Sequence, residues 1–342
     1  MEGDLRPFIE EVAQGQTLPA QRAEEAFLQI ISGEASPVQV GALLMGLRTR
    51  GVVPSEVAGG VRALRRVMVP VPAEDPEALI DTCGTGGGTL TTFNISTAAA
   101  LAAAGMGVRI AKHGNRSFTS RSGSADVLEA LGVKIQMSPE GMAAVLQEVG
   151  IVFMFAPLLH PAMRHVGPVR KELGITTIMN LLGPLANPAG ARRQMVGVAE
   201  PRILWLIVEA LRELGHIRAL VVHGSDGLDE ITTAGVTHAA FVEGDDFRTL
   251  SIDPGAYGLP APADGDLRGG DAVHNAEILR AVLGGERGPR RDIALLNAAA
   301  ALWIASAATD LEEGLALAAR SVDSGAALEK LDRLVRASAE AQ

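Results

Sequence analysis

The stretch Asp81-Thr-Cys-Gly84-Thr85-Gly86-Gly87-Gly88-Thr89-Leu-Thr-Thr92-Phe-Asn94-Ile-Ser96-Thr97 gathers groups suited to holding an anion. Glycines at 84, 86, 87 and 88 let main-chain N–H groups approach phosphate oxygens closely and turn toward them. Thr92, Ser96 and Thr97 add hydroxyls, and the run 97–104 reads as a helix. Its N-terminus adds partial positive charge, worth about 0.3–1 kcal/mol per exposed anion contact. No Gly-Lys-Ser/Thr follows, so this is not a Walker A loop, and Thr89 occupies the third glycine position of a Rossmann fingerprint. Taken alone, the loop suits either a phosphate cradle or a structural turn.

Lys112-His113-Gly114-Asn115-Arg116 follows an apolar run, and a strand end beside a glycine loop is where open α/β sheets bind ligands. Lys112 can neutralise phosphate, and Asn115 offers a donor and an acceptor. His113 suits either a substrate contact or a neutral, packed histidine. The hydroxyls of Ser117, Thr119, Ser120 and Ser124 make either a second anion cradle or a capped helix start. In His223-Gly-Ser-Asp226-Gly-Leu-Asp229-Glu230, the carboxylates of Asp229 and Glu230 can reach one hard cation. Mg²⁺ takes few carboxylates and completes its shell with water and substrate phosphate. Adjacent acids on loops are common, so this reading gains its force from the phosphate loop nearby. Arg170, ahead of Met179-Asn180-Leu-Leu-Gly183-Pro184-Leu-Ala-Asn187-Pro188, suits either a carboxylate over a pocket wall or a plain surface position. The histidines show no metal spacing, His160 and His165 being five apart rather than four. Neither a nucleophile elbow nor a Ser–His–Asp pattern is present.

These groups need a frame. Residues 1 to about 70 read as successive helices. Pro19 opens one with Ala23, Ala26, Phe27, Ile30 and Ile31 on a single face; Ser36-Pro37 begins another that stops before Gly51; Pro54 introduces a third, with Val57, Val61 and Leu64 inward. Val69-Pro-Val-Pro-Ala-Glu-Asp-Pro76 is a stiff connector, a hinge or a plain loop. Beyond it, short apolar runs at 79–81, 108–111, 133–136, 151–155, 177–179 and 219–223 read as strands. Helices over 124–131, 139–149, 201–214 and Ile293–Thr309 fall between and after them, and 260–272 reads as a surface loop. The fold class is α/β: a small, mostly helical domain plus a larger α/β domain with a central, mainly parallel sheet.

Composition narrows the function classes. The 342 residues carry 30 basic and 40 acidic side chains, a formal net charge of −10, and only 3% aromatics. A basic face and stacking platforms for nucleic acid are therefore not expected. The single cysteine, Cys83, excludes an internal disulfide and a cysteine-based zinc site. No apolar leader follows Met1, and the uncharged stretches 89–108 and 293–309 are too polar or too short to span a bilayer. A cytoplasmic protein with no membrane partner is expected.

Five motifs occur in an order that resembles one family. They are the glycine loop through Asn94-Ile-Ser96-Thr97, Lys112-His-Gly-Asn-Arg116, Ser122-Gly-Ser-Ala-Asp-Val-Leu-Glu-Ala-Leu-Gly132, Asn180-Leu-Leu-Gly-Pro-Leu-Ala-Asn-Pro188 and Gly227-Leu-Asp-Glu230. Over about residues 8 to 335 the chain resembles the anthranilate phosphoribosyltransferases. The resemblance implies transfer of the phosphoribosyl group of 5-phosphoribosyl 1-pyrophosphate to anthranilate, in tryptophan synthesis. It implies Mg²⁺ as cofactor, two ions per subunit, a homodimer formed through the small domains, and association with anthranilate synthase. It also implies a small domain of residues 1–70 joined by about 165–185, and a large domain of 76–164 and 186–342. Carried over by position, Gly84, Thr85, Gly87, Gly88, Thr92, Asn94, Ser96, Thr97, Lys112 and Ser124 hold phosphoribosyl pyrophosphate. Gly84, His113, Asn115, His160, Arg170 and Gly183 line the anthranilate path, with Asn115 and Arg170 positioning the substrate. Ser96, Asp229 and Glu230 serve the metal, and no residue is implied as nucleophile or general base.

The chain departs from the family pattern in places. Gly88 replaces the aspartate that usually ends the glycine loop, and Thr176 and Met179 replace an arginine and a phenylalanine. These changes bear on affinity and hinge packing more than on reaction class. Two rival readings share the scaffold: a pyrimidine nucleoside phosphorylase, and a nucleic-acid-binding relative that the negative charge disfavours.

Overall fold

The computed structural model describes residues 3–86, 90–117 and 121–341. Four helices come first: α1 (Arg6–Ala13), α2 (Ala20–Ile31), α3 (Pro37–Arg50) and α4 (Pro54–Val67). Their limits follow from local chemistry. Ser36 accepts from the Gln39 N–H at 3.3 Å ahead of Pro37, and α3 stops where Gly51 takes φ of 97°. Glu56, fully buried in the first turn of α4, accepts from the N–H groups of Val53 (3.1 Å) and Leu18 (3.0 Å) and pairs with Arg50 at 2.5 Å.

The connector then leads into β1 (Ile80–Gly84), α5 (Ile95–Gly105), β2 (Ile110–Gly114), α6 (Ser124–Ala130), α7 (Pro139–Val149) and β3 (Ile151–Phe155). Three short helices follow: α8 (Ala156–Leu159), α9 (Gly167–Leu173) and α10 (Met179–Leu185). Next come β4 (Arg193–Gly197), α11 (Pro201–Glu213), β5 (Arg218–Gly224), β6 (Thr237–Glu243) and β7 (Asp246–Ile252). The chain ends in α12 (Ala272–Leu283), α13 (Pro289–Ile304), α14 (Leu311–Asp323) and α15 (Ala326–Glu340).

The seven strands form one sheet in the order β3-β2-β1-β4-β5-β6-β7. The first five run parallel; β6 and β7 are antiparallel. From β1 the chain winds outward through β2 and β3, then returns to β4 on the other side. The β1–β4 junction is thus the switch point, and the carboxyl ends of such strands form a crevice for ligands. Gly84 and Gly197 pair side by side at that place.

Both faces of the sheet are covered. One packs on α5 and the C-terminal helices, where Ala98, Ala99, Ala100, Ala102, Ala103 and Ala104 are buried and small enough for close helix contact. On the other face, Val196, Val198, Ala219 and Val221 join an apolar cluster that continues through α11 into Phe27, Leu43, Leu44 and Leu47 of the first helices. Each such buried side chain contributes about 1.5–3 kcal/mol. Val166, Val169, Met179 and Leu182, from the segment holding α9 and α10, enter the same cluster.

The expected fold class is observed, with local corrections. Residues 133–136 form no strand: Val133, Ile135 and Met137 are buried in alternation, but the Lys134 N–H goes to the Ser338 hydroxyl, not to a neighbouring strand. Thr177–Met179 is no strand either, because the Asn180 side chain accepts from the Thr177 N–H at 3.0 Å and turns the chain into α10. The strands β4, β6 and β7 were not anticipated. β7 is mostly exposed and mixed in polarity, so its apolar alternation is weak.

Candidate active site

A cavity of about 800 Å³ opens at the carboxyl ends of β1, β2 and β4, between the α/β layer and the helical part. On the sheet side it is lined by Gly84, Thr85, Gly86, Asn94, Ser96, Asn115, Ser124, Asp229 and Glu230. On the other side stand Arg48, the segment Thr176–Ile178 with Asn180 and Leu181, and Ile203 and Leu206 of α11. Polar groups therefore converge on the sheet side, and a mixed wall faces them, with Ile178, Leu181, Ile203 and Leu206 set among Arg48, Thr176, Thr177, Asn180 and Arg202.

The glycine loop leaves β1 because no side chain fits there. A Cβ on Gly84 would stand 2.4 Å from Asp229 Oδ2, and Gly86 has φ of +67°. The Gly86 N–H donates to Asp229 Oδ2 at 3.1 Å. The Ser96 N–H, in the first turn of α5, donates to Glu230 Oε1 at 3.1 Å. The Glu230 carboxyl thus occupies the helix N-terminus, the position that dipole and free N–H groups prepare for an anion. Asn94, at the start of α5, does not cap the helix; it donates to Ser122 O (3.2 Å) and accepts from Asn275 Nδ2 (3.0 Å). Asn115 and Ser124 meet through the Ser124 hydroxyl, which donates to Asn115 O at 3.4 Å.

Electrostatics set the acidic pair apart. Burial raises the Asp229 carboxyl above its usual range; burial and then the neighbouring Asp229 push Glu230 up to about 8. Two half-buried carboxyl groups at the mouth of a phosphate-type loop invite a hard cation. Among the described residues no cluster of three or more His, Cys, Asp or Glu side chains could hold a metal. The Asp229–Glu230 pair with the Ser96 hydroxyl nearby fits Mg²⁺, which binds through one or two carboxylates and completes its shell with water and substrate oxygens.

Other expected residues lie elsewhere. Lys112 does not line the cavity: it is 4% exposed beneath the floor, and its Nζ donates to Thr82 O (2.6 Å) and Ser96 Oγ (3.2 Å). Burial lowers its ammonium while Asp81 opposes the shift. Thr97 is buried on the far side of α5, with a hydroxyl that finds no partner. Thr92 faces a neighbouring cavity of about 630 Å³ beside Arg268. Gly87 and Gly88 lie outside the described residues.

Of the residues expected along the anthranilate path, Gly84 and Asn115 line the cavity, whereas His113, His160, Arg170 and Gly183 are not among its lining residues. The rings of His113 and His160 are 5.0 Å apart and buried. Burial lowers His113 to about 3 and His160 to about 4, so both are neutral. A Cβ on Gly183 would meet open space. Arg170, half-buried on α9, has its guanidinium lowered by desolvation. Asp81 braces His113: it accepts from the His113 N–H (3.1 Å) and from Asn187 Nδ2 (2.8 Å).

Sequence reasoning missed Arg48, Asn275 and Asn297. Each sits in a helix whose pattern is ordinary; only the chain's return to the cleft gives it a role.

Comparison with known proteins agrees with this geometry. Residues 6–68 match the helical bundle domain of a glycosyl transferase family, and residues 76–328 match its a/b domain. An anthranilate phosphoribosyltransferase of Rhodopseudomonas palustris is 51% identical over 339 residues, covering 99% of each chain. One from Rubrobacter xylanophilus is 53% identical, over 98% of this chain and 97% of its own. The crystal structure of the Thermus thermophilus enzyme superposes with a TM-score of 0.92 at 41% identity, over 97% of this chain and 99% of that one. The Saccharomyces cerevisiae enzyme in complex with PRPP and Mg does so with a TM-score of 0.90 at 26% identity, over 98% of each. With half its residues shared along its whole length and the same two-part fold, the chain belongs to the anthranilate phosphoribosyltransferase family.

Proposed function

We propose that the chain transfers the phosphoribosyl group of 5-phosphoribosyl 1-pyrophosphate to the amine of anthranilate, in L-tryptophan biosynthesis. The products are N-(5-phosphoribosyl)anthranilate and pyrophosphate. The observation that carries this reading is one cleft in which a glycine loop, the N-terminus of α5 and the pair Asp229–Glu230 face a wall that includes Ile178, Leu181, Ile203 and Leu206.

The chain works by positioning and by charge. Gly84, Thr85, Gly86, Asn94, Ser96 and Ser124 hold the sugar diphosphate, with Gly87 and Gly88 completing the loop. Lys112 acts from beneath, fixing Ser96 and adding positive charge below the loop. Ser96, Asp229 and Glu230 would hold Mg²⁺, two ions per subunit. When bound, that ion offsets the negative charge that builds on the departing pyrophosphate. Arg170 receives the anthranilate carboxylate, and Asn115, His113, His160 and Gly183 shape the path of the ring. The amine nitrogen then forms its bond to ribose C1 as the C1–oxygen bond to pyrophosphate breaks, with inversion at C1. The amine proton leaves to solvent or to pyrophosphate, so no buried general base is needed; neutral His113 and His160 fit a path for an uncharged amine.

The same reading includes a small domain of residues 1–70 with about 165–185, a homodimer, a cytoplasmic setting and association with anthranilate synthase. Among the described residues no helix is long and apolar enough to cross a membrane. The test is the loss of anthranilate fluorescence on adding phosphoribosyl pyrophosphate and Mg²⁺. Asp229→Asn with Glu230→Gln should abolish Mg²⁺-dependent turnover while the fold persists; wild-type rates there remove the metal assignment. Phosphate consumption with thymidine or uridine, and none of the fluorescence change, replaces the reading with a nucleoside phosphorylase.

A further inference from the structure

The acidic pair rides on a turn gripped from two sides by residues that do not line the cleft. Asn297, wholly buried on α13, gives all three of its hydrogen bonds to main chain. Its Nδ2 donates to Ile231 O and to Ile293 O, both at 2.8 Å, and its Oδ1 accepts from the Ile231 N–H at 2.9 Å. Ile231 follows Glu230 directly. One side chain therefore answers both polar groups of the residue behind the carboxylates, where no water can substitute.

Gly197 closes the opposite side. A Cβ there would stand 1.7 Å from the Asp229 carbonyl oxygen and 2.4 Å from its carbon. The obstacle is backbone, so any side chain at 197 displaces the turn itself. Asp226 ties the two feet of the turn, accepting from the Leu228 N–H (3.2 Å) and the Thr232 hydroxyl (2.6 Å). The turn is therefore pinned at its base, while Ser96 and Gly86 pin the carboxylates at its tip.

We infer that Asn297 and Gly197 are positioning residues for the Asp229–Glu230 pair and set how tightly that pair holds a divalent cation. The inference rests on the reading of this pair as the metal-holding group. The physical warrant is that ligand groups bind a small hard cation well only when their supports fix them to a fraction of an ångström. Outer supports of metal ligands typically matter by about 10- to 100-fold in affinity.

The test uses Mn²⁺ alone as the probe and follows the free Mn²⁺ signal by electron paramagnetic resonance on the full chain. Asn297→Leu keeps the branched heavy-atom shape and removes the three hydrogen bonds; Gly197→Ala shifts the turn without removing any. Each should weaken Mn²⁺ binding about 10- to 100-fold while the metal-free protein keeps a cooperative melt and its circular dichroism. Should Asn297→Leu fail to fold, Gly197→Ala carries the test. Unchanged Mn²⁺ affinity in a folded variant, alongside its loss in Asp229→Asn with Glu230→Gln, overturns the inference and leaves the metal reading intact. Unchanged affinity in that double variant instead sinks the metal reading itself.

Discussion

Glu230→Gln should make the metal-free protein more stable and less active at once. Glu230 is held near 8 by burial and by Asp229, against an ordinary value of 4.5. The folded chain therefore keeps its proton between those values, while the unfolded chain loses it. A carboxyl whose folded value is raised costs stability as pH rises through that window. At about 1.4 kcal/mol per unit, the cost is below about 1 kcal/mol at pH 5, about 3 kcal/mol at pH 7 and about 5 kcal/mol above pH 8. Glu230 opens onto the cleft, where solvent screening applies, so these are upper bounds. Glutamine carries no such cost and still offers Oε1 to the Ser96 N–H. Urea unfolding in EDTA, followed by the fluorescence of Trp205 and Trp303, should show a gap between variant and wild type that widens from pH 5 to pH 8. Mg²⁺ should narrow it by stabilising only the wild type. A gap that does not change with pH, or a variant less stable than wild type at pH 8, refutes the argument.

Arg170→Ala should raise the KM for anthranilate about 10- to 100-fold, the worth of a charge-assisted hydrogen bond, with little change for phosphoribosyl pyrophosphate; an equal rise in both argues against a role in carboxylate binding. His113 and His160 should stay neutral down to about pH 5, so their ring-proton NMR shifts should not titrate between pH 5 and 9. Because both are depressed, the folded chain takes up fewer protons than the unfolded one below pH 6.5. Stability should then fall with acid by about 1.4 kcal/mol per unit for each ring, and His160→Gln should flatten that slope. Desolvation pushes the partly exposed Cys83 thiol well above its usual range, so a thiol reagent at pH 8 should label it far more slowly than an ordinary cysteine, its thiolate being scarce. Labelling as fast as that of an ordinary cysteine would contradict the raised thiol.

Local residue order already carried the helical start, the change to strand–helix alternation after Pro76, and the glycine loop beside a helix N-terminus. These are readable because each depends on neighbours along the chain: a proline at the first helical position, an apolar period, a run of residues without Cβ. Asp229 and Glu230 were legible as a pair for the same reason. Tertiary structure alone decided what those groups face. It set Lys112 beneath the loop and not in the cleft, turned Thr97 away, and brought Asn275 to Asn94 and Asn297 to Ile231 across long separations in sequence. It also left 133–136 extended without a strand partner. Hydrogen bonds between distant segments follow from sheet order and helix packing, and no spacing along the chain encodes which buried amide will meet which peptide.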